Sequence, residues 1–486
     1  MEKKDLKPAG VFKYFEEICQ VPRPSKKEEK MIAYLKAFGA KHNLETKVDE
    51  AGNVLIKKPA TPGKENLQTV VLQSHIDMVC EKNNDVQHDF LTDPIETEID
   101  GEWLKAKGTT LGADNGIGVA TELAILADDS IEHGPLECLF TVDEETGLTG
   151  AFALQEGFMS GDILLNLDSE DEGEIFIGCA GGIDSVAEFT YKEVKVPAGY
   201  FFFKVEVKGL KGGHSGGDIH LGRGNANKIL NRFLSRMATR HDLYLCEING
   251  GNLRNAIPRE AYAICAVPED AKHDVRTELN IFTSEMEDEL SVVEPDLKLV
   301  LESETPRKTA IDQDTTTRLL KALYAAPHGV YAMSQDIPGL VETSTNLASV
   351  KMKPNHVIRI ETSQRSSILS ARNDMANTVR AVFQLAGANV TFGEGYPGWK
   401  PNPHSAILEV AVESYKRLFG VDAKVKAIHA GLECGLFLDK YPTLDMISFG
   451  PTLTGVHSPD ERMLIPTVEK FWKHLLDILA HVPAKK

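Results

Sequence analysis

Two histidines and five carboxylates carry the chemistry this sequence offers. They are His75 and Asp77, Asp114, the pair Glu144-Glu145, Asp168 and His457, each placed just after a short apolar run or a glycine turn. One histidine and two carboxylates suffice for one zinc site. Two histidines and three carboxylates suffice for two metals that share a ligand, with Glu144 left free as a base. The inventory points to metal-assisted hydrolysis. His75 and Asp77 lie two apart, so in extended chain their side chains point the same way. That suits a ligand and the carboxylate that fixes its tautomer. Glu144 and Glu145 repel each other unless a cation or proton intervenes. With a metal present, one can ligate while the other takes a proton from water. An Asp in a glycine-lined turn can hold one cation on each oxygen. Each feature has an ordinary alternative when taken singly. His75-Asp77 reads more readily as a polar strand end, and Asp114 equally as a helix N-cap. Glu144-Glu145, beside Asp143, reads as a solvated acidic turn. Asp168, near Glu170, Asp171 and Glu172, reads as an exposed acidic loop, and His457 as a loop histidine. Their joint occurrence in this order favours the site. A phosphate cradle at Gly112, Gly116 and Gly118 is a weak rival, because Thr121 stands where a third glycine is needed and no Lys-Ser/Thr follows.

Strands that end beneath these residues must position them. Thr69 to Leu72 leads to His75, Leu136 to Val142 leads to Glu144, and Ile163 to Leu165 leads to Asp168. Continuous apolar runs separated by helical stretches predict a sheet covered on both faces, with a crevice at the carboxyl ends of its strands. Asp114 sits in the turn Gly112-Ala113-Asp114-Asn115-Gly116, before a helix carrying Val119, Leu123, Ile125 and Leu126. An N-terminal helix places Val11, Phe12, Phe15 and Ile18 on one face and is broken by Pro22 and Pro24. Ser25-Lys26-Lys27-Glu28 reads as a capping box that opens a second helix through Met31, Ile32 and Leu35. After about residue 185 the texture changes. A half-exposed strand at Phe201 to Val207 is followed by a helix at Ala226 to Met237, a strand at Ala261 to Val267 and a further helix in the 270s and 280s. A similar series runs from 297 to 390, and two α+β units in succession predict a duplicated or enlarged inserted domain. Near Tyr396-Pro397-Gly398-Trp399 the chain returns. A helix at Ala406 to Leu418 and the run Leu444 to Phe449 resume the first domain, which also holds His457. Ligand candidates at both ends predict a discontinuous domain interrupted by an inserted one.

The bulk properties exclude several classes. With 486 residues the chain is too long for one ordinary domain. Asp+Glu outnumber Lys+Arg by 72 to 53, a net charge of −19, and no basic stripe offsets it, so no nucleic-acid partner is expected. A hydrophobic fraction of 42% and a mean hydropathy of −0.21 belong to a soluble globular protein. No apolar stretch approaches the ~20 residues of a membrane span, and Met1-Glu2-Lys3-Lys4-Asp5 opens no secretory signal. Seven scattered cysteines without a C-x-x-C pair read as reduced thiols in the cytoplasm.

Three further segments have chemical character. Gly212-Gly213-His214-Ser215-Gly216-Gly217 sets one histidine in a flexible loop that allows close backbone approach to a ligand. Asn252 to Pro258, with Arg254 and Asn255, and Gln364-Arg365-Ser366-Ser367 supply amide and guanidinium donors suited to a carboxylate. Turn chemistry and surface charge explain these segments equally well.

The motifs His75-Ile76-Asp77, Gly112 to Gly116, Asp143-Glu144-Glu145-Thr146-Gly147, Asn166-Leu167-Asp168 and Gly455-Val456-His457, in this order, resemble those of the co-catalytic zinc peptidase family of glutamate carboxypeptidases, aminoacylases and dipeptidases. The resemblance covers essentially the whole chain. It implies an α/β, two-domain di-zinc peptidase. The catalytic domain, residues 1–185 and 397–486, has a mixed sheet covered by helices, and residues 186–396 form an inserted α+β lid and dimerisation domain. It implies two Zn²⁺ per subunit, with Co²⁺ or Mn²⁺ as substitutes. His75, Asp114 and Asp168 would hold one ion and Asp114, Glu145 and His457 the other. Asp77 would orient His75, Glu144 would be the general base, and the Asp114–Asn115 peptide would be cis. Asp rather than Glu at position 168 implies an amino- or dipeptidase. His214 matches a histidine that reaches the partner subunit's active site in a homodimer. Asn255 and Arg365 match positions that grip a substrate carboxylate. His429 to Gly435, with Gly431, matches a loop lining the substrate pocket. The expected activity is hydrolysis of dipeptides, with Xaa-His (carnosine-like) substrates preferred. The alternatives are an N-acyl amino acid amidohydrolase on the same scaffold, a non-catalytic peptide- or metal-binding protein and, more remotely, a di-metal phosphoesterase.

Overall fold

The computed structural model describes residues 2–83 and 85–485. The chain divides into two compact units. One comprises Met1–Cys179, Trp399–Ala427 and Leu432–Lys486, and the other Ala180–Gly398 with Ile428–Gly431.

The first unit is built on an eight-stranded sheet. Its central strands, in spatial order Leu136–Thr141, Val70–His75, Ile163–Asn166 and Asp445–Ser448, run parallel. Antiparallel strands flank them, with Val54–Lys58 on one side and Glu174–Cys179 on the other, so the sheet is mixed. Three of the central strands are buried at every position, as their unbroken apolar runs require once helices cover both faces. The helix Ala113–Ala127 packs on Val70–His75 and on the N-terminal helix Ala9–Cys19, which buries Val11, Phe12, Phe15 and Ile18. Its seat on the strand is close. A Cβ on Gly118 would strike Asn115 Oδ1 and lie 2.9 Å from Ser74 Cβ. A separate four-stranded sheet pairs Leu453–Thr454 with Arg462–Leu464, and the loop between them carries His457.

The expected capping box does not form. The second helix spans Glu29–Lys41, and neither Ser25 nor Glu28 caps it through its side chain. The Ser25 hydroxyl instead donates to Asp77 Oδ2 at 2.7 Å, and Glu28 Oε1 accepts from the Asp143 amide at 3.0 Å. Buried acceptors and donors around Asp77 and Asp143 claim both groups.

In the second unit the two α+β series join in one nine-stranded antiparallel sheet. Lys298–Ser303 of the later series pairs with Tyr200–Lys208 of the earlier one, and Tyr244–Gly250 pairs with Val341–Lys353. The helices Ala226–Arg240, Lys272–Leu290, Gln313–Ala325 and Leu369–Leu385 share one core with the sheet, in which Phe203, Phe233, Phe282 and Phe383 are fully buried. Asn225 and Asp312 cap two of these helices by accepting the amides of Lys228 and Thr315.

Candidate functional site

In the first unit, His75 ends its strand, Glu144 and Glu145 follow Leu136–Thr141, and Asp168 follows Ile163–Asn166. All three strands end on the same edge because they are parallel. Asp114 enters from the start of its helix, whose N-cap is Gly112 at φ 69°. A Cβ at Gly112 would lie 2.6 Å from the Arg23 guanidinium, so both the backbone angle and the space require glycine. Asp114 is therefore not the helix cap. Its own dihedrals are non-helical, and the Asp114–Asn115 peptide is cis. His457 is also held in the left-handed region, at φ 61°.

The side chains converge as two tripods that share Asp114. His75 Nε2 lies 3.2 Å from Asp114 Oδ1 and 3.5 Å from Asp168 Oδ1. His457 Nε2 lies 3.1 Å from Asp114 Oδ2 and 3.0 Å from Glu145 Oε2. Ligand bonds of about 2.0–2.1 Å in a tetrahedron place neighbouring donor atoms about 3.3–3.4 Å apart, so both sets of spacings suit a zinc-sized ion. Asp168 Oδ1 and Glu145 Oε1 are buried without hydrogen-bond partners, which a cation would remedy. Electrostatics agree. Burial opposes charging of His75, yet Asp168, Asp114 and Asp77 outweigh it and hold its pKa well above the imidazole range. Hydrogen bonds to Asp114 and Glu145 raise His457 to about 11. Burial pushes Asp168 up to about 6 and Glu144 well above the usual carboxylate range. The cluster demands positive charge, which divalent cations would supply while leaving both imidazole nitrogens as ligands.

Asp77 supports this arrangement. Its Oδ1 lies 3.3 Å from His75 Nδ1, and its two oxygens accept the amides of Glu144 and Glu145 at 3.0 and 3.2 Å. One fully buried carboxylate thus links the His75 ring to the backbone of both glutamates. A second carboxylate group, Glu28, Asp77 and Asp143, lies close together. Asp143 accepts from Thr146 and Thr149, and Glu28 Oε1 accepts from two amides, so the protein's own donors already hold most of this group.

Composition gave no sign of a buried polar layer beneath the strand ends. Glu433 Oε2 accepts from Gln73 Nε2 at 2.7 Å and from Thr141 Oγ1 at 2.8 Å. Asn166 donates to Gln73 Oε1 and accepts from Ser448, each at 2.5 Å, and Ser448 meets Ser169 at 2.7 Å. The layer joins the strands beneath His75, Glu144 and Asp168. Glu433 falls within the His429 to Gly435 loop, but only its position in the fold gives it this task. Burial raises its carboxyl to about 7.

The second unit gathers the remaining candidates. His214 Nδ1 accepts the amides of Gly216 and Gly217 at 3.2 and 2.9 Å, which leaves Nε2 to carry the proton of the neutral ring. Burial and then Arg365 lower its pKa to about 4. Arg365, 7% exposed, donates to Tyr396 Oη at 2.8 Å and reaches Ser215 Oγ at 3.4 Å. The Asn255 carbonyl accepts from the Ser215 amide at 2.8 Å, and its side chain is exposed. A Cβ on Gly431 would stand 2.9 Å from the Tyr396 ring. His429, missed from sequence as an individual residue, bonds Ser344 Oγ at 2.7 Å.

Known proteins share this architecture. The chain is 47% identical over its full length to the cytosol non-specific dipeptidase of Escherichia coli K12, all of which it covers. It is 46% identical to the aminoacylhistidine dipeptidase of Vibrio alginolyticus. That match covers 100% of this chain and 99% of the other, and the solved structure superposes with a TM-score of 0.93. The aminopeptidase PepT of Bacillus cereus, 16% identical with 98% and 99% of the two chains covered and a TM-score of 0.61, shares the fold. The model of peptidase family M20/M25/M40 matches residues 71–481, a span that holds every ligand candidate from His75 to His457, and the chain belongs to that family.

Proposed function

We propose that this protein is a cytoplasmic, di-metal dipeptidase that prefers Xaa-His substrates of the carnosine kind. The observation that carries the reading is the pair of tripods sharing Asp114, with Glu144 within electrostatic reach of His75, Asp168 and Glu145. The names of the Escherichia coli and Vibrio alginolyticus relatives support the substrate class. His75, Asp114 and Asp168 would hold one ion and Asp114, Glu145 and His457 the other, with Zn²⁺ the expected metal. When bound, the ions supply Lewis acidity for the scissile carbonyl and lower the pKa of the attacking water toward ~7.

The protein's own groups perform the remaining steps. Glu144 takes a proton from the attacking water on a carboxylate oxygen, then delivers it to the leaving amine nitrogen. Asp77 holds the His75 ring and fixes the direction of both glutamates through their amides. The partner subunit's His214 donates Nε2–H to the carbonyl oxygen as negative charge develops there. Arg365, with Asn255, receives the C-terminal carboxylate, and the Gly431 loop lines the pocket. A homodimer is part of this reading. The strand Gly329–Met333, paired on one edge only among the described residues, exposes Val330, Tyr331 and Met333, which supports a second copy there. Among the described residues no helix is long and apolar enough to cross a membrane, and all seven cysteines are free.

The test is hydrolysis of carnosine, Ala-His, Ala-Ala and N-acetyl-His, each before and after chelation. Cleavage of the Xaa-His substrates that is lost with chelator and restored by Zn²⁺ is the expected result. Cleavage of the acetylated substrate alone would reassign the chain to the amidohydrolases. Silence across the metal-loaded panel would defeat the catalytic reading.

A further inference from the structure

Asp114 and His457 are 343 residues apart in sequence, yet one side chain joins the backbones that carry them. Glu461 is 2% exposed and lies four residues beyond His457. Its Oε2 accepts the amides of Leu111 and Gly112 at 2.7 and 2.9 Å, and its Oε1 accepts those of Ala113 and Asp114 at 2.8 and 3.3 Å. These donors open the helix Ala113–Ala127, where amides lack intrahelical partners and a carboxylate is favoured. The chain between His457 and Glu461 is closed on itself. The Glu461 amide donates to the Ser458 carbonyl at 3.0 Å, and the Ser458 hydroxyl donates to the Gly455 carbonyl at 2.6 Å. From its other side the Asp114 turn is held by Arg23, which donates to the carbonyls of Gly112 at 2.6 Å and Asp77 at 3.0 Å.

The two tripods are therefore supported differently. His75 and Asp168 follow strands in direct register, with Gln73 opposite Asn166. His457 has no such neighbour, and its loop meets the Asp114 turn through Glu461. We propose that Glu461 is a positioning residue for the cation site of Asp114, Glu145 and His457. By fixing the Asp114 turn against the His457 loop, it sets the spacing on which that site depends more than the site of His75 and Asp168 does. The inference rests on the two-cation reading given above.

Metal-free wild type, Glu461→Gln and Glu461→Asp are to be titrated with Co²⁺, followed by visible absorption and by competition with a chelator. Wild type is expected to bind two ions. In Glu461→Gln one ion binds as before, while the other weakens by about 10–100-fold, the usual cost of losing a group that orients a ligand. Excess Co²⁺ then restores kcat with KM for Ala-His unchanged. Uptake of fewer than two ions by wild type would defeat the two-cation reading itself. Two ions in wild type, with affinities unchanged in the variants or weakened equally at both sites, would overturn the positioning role. If Glu461→Gln does not fold by circular dichroism, Glu461→Asp decides on the same criteria. Loss of folding in both variants would overturn the inference as well, because Glu461 would then serve the fold and not the site.

Discussion

Glu144 and Glu145 are neighbours in sequence but sit in different surroundings. Glu145 Oε2 meets His457 Nε2 at 3.0 Å, while burial raises the Glu144 carboxyl well above its usual range. A half-buried base beside a site that needs positive charge is suited to moving one proton. Glu144→Gln keeps the shape and removes the proton acceptor. We expect kcat for Ala-His to fall by about 10²–10⁴-fold, with KM little changed and two metals still bound. Steady-state kinetics combined with metal analysis of the same sample checks this, and full activity with both metals present would remove Glu144 from the mechanism. The sequence marked this pair as special, and the resemblance assigned Glu145 as ligand and Glu144 as base. The His457 loop approaches Glu145, in keeping with that assignment.

At the scale of elements, the helix Ala113–Ala127 delivers Asp114 only because it lies hard against the strand of His75. Gly118 permits that approach. Gly118→Ala is expected to push the helix off the strand, at a cost of about 1–3 kcal/mol for overpacking. Thermal melting reads the loss, and weaker metal binding should accompany it. A melting temperature equal to that of wild type would mean the seat is looser than the geometry indicates. In the second unit, His328 Nδ1 accepts from Asn225 Nδ2 at 3.3 Å and from the Leu347 amide at 3.4 Å, beside the cap of the helix Ala226–Arg240. Burial and Lys228 lower its pKa to about 4. The folded ring stays neutral while the unfolded ring protonates below about pH 6.5. Stability is therefore lost as pH falls from about 6.5 toward 4, on the order of 2 kcal/mol by pH 5. His328→Asn should lose less melting temperature between pH 7 and pH 5 than wild type. An equal loss would locate the acid sensitivity elsewhere.

For the whole molecule, the proposed homodimer makes a quantitative prediction. If His214 acts on the partner subunit, a mixed dimer of His214→Ala and Glu144→Ala chains has one competent site. It combines the intact Glu144 of one chain with the intact His214 of the other. Random co-assembly of two inactive variants should recover roughly a quarter of wild-type activity, set by half the dimers being mixed and half their sites being whole. Co-expression with two affinity tags checks this: the doubly tagged fraction, in which every dimer is mixed, should show about half of wild-type activity. No recovery in that fraction would place His214 in service of its own chain or of none.

Much of this was legible in the sequence because it is local. Unbroken apolar runs at Val70, Leu136 and Ile163 fix buried parallel strands, and the ligand types follow at their ends, so periodicity and composition reach both. The resemblance in motif order supplied the grouping of His75, Asp114, Asp168, Glu145 and His457. Only tertiary structure decided what depends on partners distant in the chain. Ser25 and Glu28 leave a local cap to serve Asp77 and Asp143, because buried polar groups outbid an exposed helix end. The two α+β series merge into one sheet because Tyr200–Lys208 and Tyr244–Gly250 find pairing partners in the later series, and no local pattern encodes such pairing. Glu433 and Glu461 read as ordinary acidic residues. Burial against Gln73 and Thr141, and against four backbone amides, gives them their tasks.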